Sequence, residues 1–85
     1  MEEGQKVQVC VTSPQELHQV ADVAAQITGR RFRRQHYRYE PGSSRLQQLP
    51  WRLQWIETDH CVIAELQKRL EGLGIGFHVV CEDVH

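Results

Sequence analysis

Two stretches of this chain carry apolar residues at helical spacing, and each has a single stripe to bury. In the first, Leu17, Val20, Ala21, Ala24 and Ile27 recur every three or four residues. In the second, about 60–71, Ile63, Leu66 and Leu70 form the stripe, with Val62 at its margin. One-sided helices need a surface to lie on, and the remaining segments read as strands. Residues 6–12 alternate, with Val7, Val9 and Val11 on one face. Trp51, Leu53 and Trp55 alternate in the same way, as do Ile75, Phe77, Val79 and Cys81. The 85 residues fit one domain, 1–85. A chain this short buries roughly 60–65% of its unfolded surface, so the core is small.

The order is therefore β-α-β-β-α-β. One four-stranded antiparallel sheet with both helices on one face buries both stripes. Right-handed crossovers then favour an α+β sandwich of the ferredoxin-like, split βαβ kind, with strand order 4-1-3-2. Punctuation agrees with this layout. Ser13 suits an N-cap, Pro14 the first helical position, and Glu16 completes a capping box. Gly29 is expected to end that helix in a left-handed conformation. Thr58 or Asp59 is expected to cap the second helix, which Gly72 ends, with Leu73 folded back onto its stripe. Residues 1–5 are expected to fray, and 82–85 to form a polar tail.

Between the helices lies a basic, aromatic stretch, residues 30–56, expected to be a long β-hairpin. It holds seven of the ten Lys and Arg residues: Arg30, Arg31, Arg33, Arg34, Arg38, Arg45 and Arg52. Its one acid is Glu40, so it carries +6, whereas the rest of the chain has three bases against ten acids, or −7. Such asymmetry favours an anionic partner, a complementary protein, or a second copy of the chain. The first arm, about 31–39, is expected to be an edge strand. Tyr37 and Tyr39 share a face, but Phe32 has the opposite parity. Either Phe32 points away from the core or a bulge lies between Arg33 and Gln35. Residues 40–44 read as a turn, with Pro41-Gly42 suited to type II. Pro50 lacks an amide donor and limits pairing beside it.

Chemistry-bearing groups are scattered. Cys10, Cys61 and Cys81 form no C-x-x-C pair, and an odd number argues against a disulfide framework. Cys10 and Cys81 have parities that place them on opposite sheet faces. In Asp59-His60-Cys61, sequence neighbours do not face each other on a helix. No G-x-S-x-G, H-E-x-x-H, P-loop or G-x-G-x-x-G occurs. Leu73-Gly74-Ile75-Gly76 enters a strand, so it reads as a tight turn. The expectation is a non-enzyme with no cofactor and no metal. The amino terminus is acidic and polar, unlike a signal peptide, and no apolar run approaches a bilayer's thickness. A reducing cytoplasm without membrane attachment is the expected setting.

The arginines offer two readings. Guanidinium groups bind phosphate bidentately, and exposed aromatics on a sheet stack bases, which would suit RNA or single-stranded DNA. Against this, Trp51 and Trp55 fall in phase with Leu53 and belong to the core. The outward positions of the central strands are Gln8, Cys10, Thr12, Arg52, Gln54 and Ile56, with no aromatic pair. Charges on an edge strand also block aggregation, and such an edge can receive a protein partner. The expected contact residues are Arg31, Arg33, Arg34, His36, Arg38 and Arg52. A protein partner or a homodimer is the first expectation, and nucleic acid the alternative.

The layout also resembles the ACT-domain family of small regulatory modules. Residues 9–17, Val-Cys-Val-Thr-Ser-Pro-Gln-Glu-Leu, are similar to that family's first strand and its Asp-x-Pro-Gly-x-Leu turn. Residues 66–80, with Leu70-Glu71-Gly72-Leu73-Gly74-Ile75, are similar to its second helix and last strand. The resemblance implies a βαββαβ regulatory domain that dimerises. Thr12 stands where the family carries Asp, and Gln15 where it carries the glycine whose amides approach an amino-acid ligand. It therefore implies the fold more than the ligand.

Overall fold

The computed structural model describes residues 4–41 and 49–84. Its elements are β1 (Gly4–Val11), α1 (Pro14–Thr28), β2 (Tyr37–Tyr39), β3 (Trp51–Glu57), α2 (His60–Gly72) and β4 (Phe77–Val84). The four strands form one antiparallel sheet in the order β2-β3-β1-β4. This is the ferredoxin-like α+β sandwich, and the two helices supply its second layer.

The core follows the alternation of the central strands. Val7, Val9 and Val11 of β1 are fully buried, as is Leu53 of β3. Against them lie Leu17, Val20, Ala21 and Ala24 from α1, and Leu66 and Leu70 from α2. Burying a side chain of Leu or Val size contributes about 1.5–3 kcal/mol, so these few positions carry most of the fold's apolar stabilisation. Ser13 caps α1 by accepting the Glu16 amide at 3.2 Å, and Asp59 caps α2 by accepting the Cys61 amide at 2.9 Å. Gly29 ends α1 at φ 70°, with its amide donating to the Ala25 carbonyl at 2.8 Å.

Several local expectations need correction. The arginine-bearing strand shrinks from 31–39 to Tyr37–Tyr39, because a 3-10 turn at Arg34–His36 precedes it. The second helix runs through Gly72, and Leu73 keeps right-handed geometry. The left-handed residue is Gly74, at φ 72°. Leu73 consequently stays 54% exposed and does not return to the α2 stripe. Finally, the terminal strands extend further than alternation implied: β1 starts at Gly4, and β4 continues through Glu82 and Asp83, which pair with Lys6 and Gln5. Cys81 has the inward parity but is exposed. Residues 42–44 of the turn assigned to 40–44 lie outside the described residues, as do 45–48, Arg45 among them, residues 1–3 and His85.

Candidate functional site: the arginine-rich margin

The margin is built by the segment that joins α1 to β2. Gly29 releases the chain from α1, and Phe32 pulls it back toward the sheet. The Phe32 ring packs edge-on against Trp55, with centroids 5.1 Å apart, and against His36 at 5.3 Å. The 3-10 turn then resolves the parity conflict at Phe32. The Arg33 amide donates to His36 Nδ1 at 2.9 Å, and the His36 amide donates to the Arg33 carbonyl at 2.9 Å. This reciprocal pair shifts the register, so Phe32 and Tyr37 both pack on the core.

Between these anchors the cations stay outside. Arg30, Arg31, Arg33, Arg34 and Arg38 are all exposed. Among the described residues none of them forms an ion pair. They surround the edge of the sheet. Arg30 and Arg31 line an open groove of about 380 Å³ against α1, together with Asp22, Phe32 and Tyr37. Arg38 stands in β2 opposite Arg52 of β3. His36 is half-buried between Phe32 and the turn, so its position is that of a brace.

Arg52 differs from the other expected contact residues. It has the outward parity anticipated for it, yet it is only 6% exposed. Its guanidinium donates to Glu40 Oε2 at 2.5 Å. The sole acid of the basic stretch is thus spent on an internal pair, and its backbone amide extends the β2–β3 ladder by donating to the Pro50 carbonyl at 2.9 Å. Sequence reasoning missed Glu40, although its position one residue past β2 places it beside Pro50 in the hairpin register.

It also missed Glu57. This side chain is 7% exposed, and its Oε1 accepts from Trp55 Nε1 at 3.0 Å. Its Oε2 accepts the amides of Thr58 and Asp59, each at 3.1 Å. A buried carboxylate holding three donors is a structural clamp on the β3–α2 turn. The i, i+2 spacing of Trp55 and Glu57 on one strand was the available signal.

The cysteines stay apart. Cys10 is fully buried, and Cys61 and Cys81 are exposed. Burial pushes the Cys10 thiol above its ordinary value; the Arg52 cation opposes that shift and Glu40 adds to it. Burial also raises the Cys81 thiol. Asp59 is occupied as the α2 cap. Among the described residues no three His, Cys, Asp or Glu side chains are grouped to hold a metal ion. In the same residues, no helix is long and apolar enough to cross a membrane.

The open sheet face is not a stacking platform. Gln8 donates to Gln54 at 2.9 Å across β1 and β3, and Cys10 and Arg52 are buried beside them. Tyr39 is the exposed ring nearest the arginines, and it leans on Trp51 at 4.6 Å. Compared with family models, curated proteins and solved structures, the chain matches none.

Proposed function

We propose that this chain is a small non-catalytic interaction domain, of the regulatory kind its layout resembles, whose arginine-rich margin receives an acidic protein partner. One observation carries the reading: five guanidinium groups, on Arg30, Arg31, Arg33, Arg34 and Arg38, stand exposed without a carboxylate partner among the described residues. Cations clustered in this way repel one another, and an incoming anionic surface relieves that repulsion. Guanidinium forks favour carboxylates in bidentate geometry. Recognition rests on these side chains more than on the backbone, because β2 offers only three residues of ladder. A nucleic-acid reading has weaker support, since the central strands present no exposed aromatic row on which bases could stack.

The test compares the chain with the variant Arg31→Gln/Arg33→Gln/Arg34→Gln/Arg38→Gln. Both are immobilised and exposed to nuclease-treated extract of the cells that express the protein. A protein retained by the first, lost from the second, and released by raised salt is the expected result. Equal retention by both overturns the proposal. So does binding confined to nucleic acid in untreated extract.

A further inference from the structure

The opposite edge of the sheet carries no cation, and its acids, Glu82 and Asp83, sit together at its end. β4 is eight residues long, pairs with β1 at every position from Gly4↔Val84 to Val11↔Phe77, and keeps one register throughout, so no bulge turns it aside. It contains no Pro, Lys or Arg. Residues 77–83 are all half-buried or exposed. Long, straight edges of this kind are normally charged, kinked or covered, because their free amides and carbonyls template another strand. β2, by contrast, is short and arginine-flanked.

We infer that β4 is a self-association edge, and that its occupant is β4 of a second copy of this chain, antiparallel about a two-fold axis through Val80. The side-chain pattern of the strand selects this partner. In that register His78 faces Glu82 of the second copy, Glu82 faces its His78, and Val80 faces Val80, all on the open side of the sheet. On the helix side Val79 meets Cys81, and Phe77 meets Asp83. No acid opposes an acid. Within each subunit Lys6 lies beside Glu82 in the ladder, and Gln5 donates to Asp83 at 3.3 Å, so both acids are flanked by non-repelling groups. An imidazole set against a carboxylate and a β-branched pair are favourable antiparallel neighbours, whereas like charges directly opposite are destabilising. The contact is isologous and closes at two copies. It produces an eight-stranded sheet, β2-β3-β1-β4 continued by β4-β1-β3-β2. Edge pairing alone buries little surface, so the dimer belongs to the transient class, below about 1,200 Å².

The contact is independent of the arginine margin, so the two proposals fail separately. Mass is measured by sedimentation across a concentration series for the full chain and its variants. The parent chain is expected to show about a twofold rise in mass with concentration. His78→Glu sets Glu against Glu and is expected to abolish the rise while circular dichroism stays unchanged. Adding Glu82→His to that variant exchanges the two side chains across the axis, so that His again faces Glu, and is expected to restore the dimer, a rescue that misfolding would not give. The variant lacking Arg31, Arg33, Arg34 and Arg38 is expected to dimerise like the parent. A parent chain that stays monomeric, a His78→Glu protein that still dimerises, or a double variant that does not recover overturns the inference. Loss of the dimer only on removing the arginines also overturns it, because the interface would then lie at the other edge.

Discussion

At the scale of single residues, burial decides which ionisable groups are available for chemistry. Cys10 lies on the open sheet face yet has no exposed surface, whereas Cys61 and Cys81 do. Thiol reagents act on the thiolate, and burial opposes its formation. In the native protein Cys61 is expected to react first, Cys81 more slowly, and Cys10 only on unfolding; mass spectrometry of timed labelling reads the order. The same shift has a pH consequence. The unfolded thiol ionises near the ordinary value of 9.0, and the folded one retains its proton to higher pH. The folded state therefore binds more protons above that value, and its stability falls as pH rises through it. Replacing Cys10 with Ala is expected to flatten the alkaline decline in denaturation midpoint between about pH 8 and 10, and an unchanged slope would refute the assignment.

At the scale of elements, the helices and central strands were legible because their signals are periodic and local. Ser13, Pro14, Asp59 and the β1 valines behave as their spacing implied. The segment before β2 was not legible in the same way. Parity at Phe32 revealed that something interrupts the strand, but not that a 3-10 turn does so, because the turn is held by a side-chain acceptor, His36 Nδ1. At the end of α2, two glycines separated by one residue compete for the left-handed position, and Gly74 takes it. At the candidate site the exposure of Arg31, Arg33, Arg34 and Arg38 was legible in their charge, whereas the burial of Arg52 was not, because Glu40, which engages it, reads in isolation as a turn residue. Phe32 is the element's anchor. Phe32→Ala removes a half-buried ring that touches Trp55 and His36. It is expected to cost about 2 kcal/mol and to speed amide exchange across the 3-10 turn more than in α2. Uniform acceleration would mean that the turn is not a separate unit.

At the scale of the whole molecule, charge and stability separate. The core is supplied by β1, β3, α1 and α2, and none of the exposed arginines enters it. Replacing Arg31, Arg33, Arg34 and Arg38 with Gln is therefore expected to change unfolding free energy by no more than about 0.5 kcal/mol. Any gain at low salt should disappear at high salt, as screening removes the repulsion it relieves. Chemical denaturation at two ionic strengths measures both. A loss above about 2 kcal/mol would mean that the arginines hold the fold together, and would remove the basis for treating them as a contact surface.

The strand order has one more outcome. With β2 at one end of the row and β4 at the other, a body seated on either flank leaves the approach to its counterpart clear. Two subunits joined along β4 would carry their cationic rims outward, far apart and facing away from each other. Such a pair could grip two acidic sites on one scaffold, and the second attachment would then gain from local concentration rather than from any new bond.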